Sequence, residues 1–144
     1  GFPGETDAEF DRTVEVVDRV GFIHVHAFSY SPRPRTAAAR WTKDQVRGPV
    51  VNERIDRLRE LSAKQSLAFR RGFIGQTVEV LVERASGEEE EGESLAGYQH
   101  GRSERYFPVH FASAGLPPGT PARVRLDRAT PTRTFGTLVG EVAR

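Results

Sequence analysis

Phe73-Ile74-Gly75-Gln76-Thr77-Val78-Glu79-Val80-Leu81-Val82-Glu83 is where the chain changes character. Val78, Val80 and Val82 alternate with Thr77, Glu79, Leu81 and Glu83, the period of two that sends neighbouring side chains to opposite faces of a strand. Valine also suits a pleated, half-buried backbone. Downstream, residues 106–111, 122–126 and 135–142 read as further short strands. Gly87, Gly92, Gly97, Gly101 and Pro117-Pro118-Gly119 are the turn signals between them. Short strands with Gly and Pro turns predict a small β-barrel or sandwich over residues 76–144. The run Glu88-Glu89-Glu90-Glu91 reads as a solvated hairpin tip, not a metal site.

Upstream of the switch the period is helical. From 49 to 71, Ile55, Leu58, Leu61, Ala68 and Phe69 are partly in phase, and Arg54, Arg57, Arg59, Lys64, Arg70 and Arg71 occupy the other faces. Gly72 or Gly75 is placed to end this helix, and residues 49–75 are taken as a connector between two domains. Residues 31–48 are loop-like, with Pro32 and Pro34. Before them, Phe22, His24, His26 and Phe28 alternate with Ile23, Val25 and Ala27, a strand pattern. Earlier still, Thr6-Asp7-Ala8-Glu9 is a capping box. Phe10, Val14, Val17 and Val20 follow at helical spacing and Gly21 stands where a cap belongs, so 7–20 is an amphipathic helix. Helix then strand predicts an α/β unit with a parallel sheet.

The bulk numbers exclude whole classes. With 37% hydrophobic and 28% charged residues the 144-residue chain is globular in composition. No apolar run approaches the roughly 20 residues of a membrane span, and no secretory leader opens the sequence. The missing initiator Met suggests a segment of a longer protein. Without cysteine there is no disulfide, zinc finger or thiolate-held iron–sulfur cluster in these residues, which fits a cytoplasmic protein. The net charge of +1 hides blocks: 33–72 carries eleven basic and four acidic residues, and 73–93 one basic and seven acidic. Alternating blocks are compatible with a polyanion gripped at two places, or simply with two solvated faces.

The opening Gly1-Phe2-Pro3-Gly4-Glu5-Thr6 is a Gly-rich turn running into a capped helix, where a ligand can approach the backbone at the positive end of the helix dipole. The Lys of a phosphate-binding loop is absent. Together with Phe28-Ser29-Tyr30-Ser31-Pro32-Arg33-Pro34, Asp44-Gln45-Val46, Glu53-Arg54, Arg57-Leu58-Arg59-Glu60-Leu61 and the stretch quoted at the start, this turn resembles the radical-SAM methylthiotransferase family over essentially the whole chain. The resemblance implies α/β followed by all-β. Residues 1–48 would be the C-terminal piece of a radical-SAM partial (β/α) barrel, 49–75 a connector helix and 76–144 a TRAM-type RNA-binding β-barrel. Arg35 stands where the family usually has Gly, and Ala37 where it has Pro.

The same resemblance implies roles. Gly1, Phe2, Pro3, Gly4, Glu5 and Phe28 would line the pocket of S-adenosyl-L-methionine, and Tyr30 and Arg33 would lie in the substrate loop. The parent protein would use two 4Fe–4S clusters, ligated outside this chain by a missing N-terminal portion, so no catalytic or metal-binding residue is assigned here and the fragment alone should be inactive. The reaction implied is hydrogen abstraction at C2 of a modified adenine, then sulfur insertion and methylation, beside the anticodon of tRNA. Three subgroups compete. His26, the run Leu67-Ala68-Phe69-Arg70-Arg71 and Gly97-Tyr98 favour the one acting on N6-threonylcarbamoyladenosine. The alternatives are the N6-isopentenyladenosine subgroup, the ribosomal-protein aspartate subgroup and a non-catalytic RNA-binding module.

For RNA contact the residues point to Arg102, Arg105, Tyr106, Phe107, Arg123 and Arg125: cations for phosphates, exposed rings for bases. A solvated barrel face explains any single one of these arginines equally well. His24-x-His26 has metal-ligand spacing without a third ligand, and His100 and His110 read as isolated. Residues 76–144 are expected to fold alone and 1–48 not to.

Overall fold

The capping box starts the first helix as its spacing requires. In the computed structural model, which describes residues 1–84, 95, 97–113 and 115–142, α1 spans Asp7–Val20. Glu9 N donates to Thr6 Oγ1 at 3.3 Å and Thr6 N donates to Glu9 Oε2 at 2.8 Å. Both orphan donors of the helix start are thereby satisfied. Gly21 ends the helix in the left-handed region, φ 69°. Phe10 and Val17, two turns apart, are its buried residues. The Glu88-to-Glu91 run lies outside the described residues.

After α1 the structure departs from the strand expected at 22–28. That segment is extended, but it pairs with no strand among the described residues, so the expected parallel sheet is not formed here. Its alternation survives: Ile23, Val25 and Ala27 are half-buried, and Phe22, His24, His26 and Phe28 are exposed. Val25 N donates to Ser62 Oγ at 2.9 Å. Periodicity specifies which side chains share a face; ladder partners come from elsewhere. The loop that follows holds two single turns of tight helix, Ala38–Arg40 and Thr42–Asp44. Arg35 takes φ 71°, the left-handed conformation that suits glycine.

The second helix, α2, runs Gly48–Arg71 with Pro49 in its first turn, where the missing N–H costs nothing. The chain divides into two compact units, Gly1–Ser66 and Leu67–Arg144, and the division falls inside α2. The second unit therefore begins with the last turn of that helix.

Five strands follow: β1 Thr77–Val82, β2 Tyr98–Ser103, β3 Pro108–Ala112, β4 Pro121–Ala129 and β5 Thr134–Glu141. They close into a barrel in the order β1-β2-β3-β5-β4, with β4 returning to β1. Every joint is antiparallel except β3–β5. Val78, Val80, Val82, Val109, Phe111, Ala122, Val124 and Leu126 fill the interior, each at most 3% exposed. Strand β2 was missed in the sequence because Gly97 and Gly101 look like turns. Gly101 is instead in mid-strand, where a Cβ would collide with Leu81 O and the Val80 side chain; it is glycine for close approach, not for bending. Gly136 plays the same part against Arg125 O and Val124.

One buried cation ties the helix end to the barrel. The Arg70 guanidinium donates to the carbonyls of Thr130, Pro131 and Arg133 at 3.0, 2.8 and 2.9 Å and to Thr134 Oγ1 at 3.1 Å. It closes the β4–β5 turn by capping carbonyls that face inward. Burial, and then the neighbouring Arg71, push its pKa down.

Candidate nucleic-acid interface

Within the first unit, the turn at 1–5 is held by Arg54 of α2. Its Nη1 donates to Glu5 Oε2 and its Nη2 to Asp7 Oδ1, both at 2.7 Å, and both nitrogens reach Glu5 O at 3.3 Å. The hydrogen bond to Asp7, and after burial's opposing effect the charges of Glu5 and Asp7, raise the Arg54 pKa. Arg54 also lies 5.2 Å over the Phe10 ring. The Glu5 carboxylate is therefore committed to the fold. Pro3 is buried; Gly4 has φ 83° and donates to Asp44 O at 2.7 Å.

Phe2 and Phe28, both expected beside a cofactor, are 49% and 84% exposed. Phe2 meets Tyr30 edge-on at 5.3 Å and Trp41 at 5.9 Å. The turn and the loop, read separately in the sequence, are thus joined through three rings. Trp41 escaped that reading, although a single tryptophan in a polar loop is a signal. Arg33 is exposed, and its carbonyl accepts from Thr36 N and Oγ1 at 3.3 and 2.9 Å. His24 and His26 meet edge-on at 4.2 Å, and no group of three metal-binding side chains occurs among the described residues.

In the second unit, the turn between β2 and β3 presents the strongest candidates. Tyr106 N donates to Ser103 O at 2.9 Å and Ser103 N to Phe107 O at 3.0 Å. This is the three-residue hairpin whose last position is left-handed and normally Gly. Tyr106 occupies it with φ 67° and 79% of its surface exposed. A non-glycine residue in that region costs about 1–2 kcal/mol, so the chain holds an exposed ring in a strained place. Arg102 Nη1 donates to Tyr106 O at 3.2 Å and its Nε to Glu83 at 3.2 Å. Arg105 lies 5.8 Å over Phe73.

Phe107 corrects the sequence reading. It is 2% exposed, with Phe69 and Phe73 against it at 6.3 and 6.0 Å, so it has no face for a base. Arg123 and Arg125 do share the outer face of β4, as alternation requires. Each has an acidic neighbour: Glu79 stands directly across from Arg123, and Asp127 pairs with Arg125 at 3.2 Å.

The histidines that seemed isolated are brought together by register. His100 of β2 stands opposite His110 of β3, rings 6.1 Å apart, and His110 stands opposite Phe135 of β5 at 5.7 Å. Tyr98 meets Phe135 edge-on at 5.6 Å, and the Arg128 guanidinium lies 4.0 Å over the same ring. Pairings ten or more residues apart leave no trace in local sequence.

No protein-family model matches the chain. It is 38% identical over 143 residues, 99% of its own length, to the tRNA-2-methylthio-N(6)-dimethylallyladenosine synthase of Erythrobacter litoralis, of which it covers 30%. It is 40% identical over 138 residues to the protein of the same name from Novosphingobium aromaticivorans, covering 96% of the chain and 29% of that relative. The Corynebacterium efficiens protein of that name is 37% identical over 133 residues, covering 91% and 25%. The chain thus spans under a third of the length of the curated relatives it matches. Dimethylallyladenosine is the isopentenyl type, so these relatives favour that subgroup over the threonylcarbamoyl subgroup preferred from the sequence.

Proposed function

We propose that this chain is the C-terminal part of a radical-SAM tRNA methylthiotransferase whose target adenosine carries an N6-dimethylallyl group. The observation that carries the reading is a similarity running through 99% of the chain to a relative of that name. A closed five-stranded barrel supports it, since barrels of this kind are a common oligonucleotide-binding scaffold. The proposal assigns 1–48 to the catalytic domain, 49–75 to the connector and 76–144 to the TRAM-like barrel, with the boundary between the two compact units falling inside the connector.

The barrel would grip the anticodon stem-loop, with Arg102 and Arg105 meeting phosphates and Tyr106 stacking on an unpaired base. The turn at 1–5 suits a pocket wall: nothing lies within 4 Å of where a Gly4 Cβ would point, so a ligand can reach the backbone. Bound S-adenosylmethionine and two 4Fe–4S clusters would supply the radical, sulfur and methyl chemistry. With no cysteine in the chain, the clusters would be held by the remainder of the parent protein. No helix among the described residues is long and apolar enough to cross a membrane; a cytoplasmic setting is part of the proposal.

The test is binding of the chain to three anticodon stem-loops, bearing dimethylallyladenosine, threonylcarbamoyladenosine or plain adenosine, between about 50 and 200 mM salt. Binding that weakens steeply with salt is expected, with the dimethylallyl stem-loop held at least as well as the others. No binding at any salt overturns the RNA grip, and a marked preference for the threonylcarbamoyl stem-loop returns the first subgroup.

A further inference from the structure

Phe135 poses a physical question. It alternates with Thr134 and Gly136, whose register faces the barrel interior, so its ring points outward, yet it is only 5% exposed. What covers it is Tyr98, His110 and Arg128. A β-bulge between Leu126 and Arg128 brings Arg128 opposite Phe135 and over its ring. Bulges re-aim side chains in this way. His100 extends the cluster along β2, 3.7 Å from Glu83, which also holds Arg102. Tyr98 keeps 42% of its surface open.

We infer that this outer face of β2, β3 and β5 is a stacking platform for unpaired RNA, with Tyr98 as the base-stacking ring. His100 and His110 face the base edges, and Arg102 and Arg128 meet the flanking phosphates. The inference rests on the RNA-binding reading and, Arg102 apart, assigns it to residues that reading does not use. Phe135 is the floor: it fixes the rings around it, so little side-chain freedom is lost when a base lands.

Ring content separates this face from its neighbour on the barrel wall. On β1 and β4, Arg123 and Arg125 are matched by Glu79 and Asp127. On the platform, Glu83 pairs with Arg102 and lies 3.7 Å from His100, and Arg128 lies over the Phe135 ring. Tyr98, His100 and Arg102 alternate along β2, about 6.8 Å from one to the next. That leaves a separate station for each successive nucleotide of an extended strand. A duplex, whose bases are already stacked, has no free face to offer.

The test uses the full chain, a labelled single-stranded RNA of about twelve nucleotides and a duplex of the same sequence, at two salt concentrations. Tyr98→Ala is expected to weaken single-strand binding roughly tenfold or more, with the salt slope nearly unchanged, and Tyr98→Phe to restore it. Tyr98→Leu covers Phe135 without offering an aromatic face. It should bind as poorly as Tyr98→Ala while unfolding at the temperature of the unsubstituted chain, which keeps the test alive if the alanine variant misfolds. Arg128→Gln should lower both affinity and salt slope. If single-stranded RNA binds and Tyr98→Leu binds equally well, the platform is refuted while the RNA reading stands. Preference for the duplex likewise refutes it. If neither RNA binds, both fall together.

Discussion

The two units contain the same kind of β-type sequence and treat it differently. At 22–28 an alternating, β-branched and aromatic segment stays extended without a strand partner among the described residues; at 77–82 a segment of the same pattern pairs on both sides, with β2 and with β4. The difference lies in supply. In the second unit each strand finds two neighbours within the same stretch of chain, so each inward side chain is covered on all sides. In the first unit, one face of the extended segment leans on α2 through Val25 and Ser62 while the row Phe22, His24, His26 and Phe28 meets solvent. Strand character is a property of the neighbourhood, and the sequence pattern is only its invitation.

The hardest blow to this contrast would be to spoil the closed barrel. Gly101→Val puts a side chain onto Leu81 O and Val80, where backbone cannot yield. We expect it to cost about 4 kcal/mol, read as loss of the cooperative unfolding transition, and with it of slow amide exchange in β1 and β2. Survival of that protection would mean β2 is not part of a closed wall.

A smaller effect is expected from Arg70→Ala. Four hydrogen bonds to the β4–β5 turn disappear and inward carbonyls lose their donor, a loss of about 2–3 kcal/mol. A fragment of residues 76–144 lacks Arg70 and should melt lower than a fragment of residues 67–144 by a similar free energy. Equal melting would show that the barrel closes without the helix end, as the sequence alone suggested.

The smallest effect belongs to the first unit and to pH. The backbone N–H and hydroxyl of Thr6 hold the Glu9 pKa below its ordinary value. A carboxylate depressed in the folded state stabilises above the ordinary Glu pKa of about 4.3, and its contribution fades as pH falls through the lowered value. A slight loss of helix signal on acidification is expected, absent in Glu9→Gln. A loss of the same size in that variant would remove Glu9 as its cause.

How much of this was legible follows from the range of each interaction. The α1 helix was readable because its signals, Thr6 with Glu9 and Phe10 with Val17, lie within two turns of each other. β1 and β4 were readable from alternation. β2 was not, because its inward Gly101 is required by a backbone in another strand. Phe107 looked like a companion of Tyr106 and proved to be core, since only the hairpin's left-handed Tyr106 separates an exposed ring from a buried one. His100 and His110, and Arg70 with its turn some sixty residues away, meet only after the barrel closes. Of the candidate residues, Arg102, Arg105 and Tyr106 are named from the sequence and Tyr98 is noted there only beside Gly97, while Arg128 over Phe135 and the histidine pair have no local signature.

The lone parallel joint between β3 and β5 has a kinetic consequence. β2 with β3 and β4 with β5 are hairpins that can zip early, as local contacts form fastest. β1 pairs with one strand of each, like the spine of a book with two covers. The covers meet at the β3–β5 edge, a joint that needs both hairpins in place. Tyr98, His110 and Phe135 straddle that line, so the surface they form exists only once the two hairpins have met. A ligand seated on it would act as a clasp, slowing the reopening of the covers.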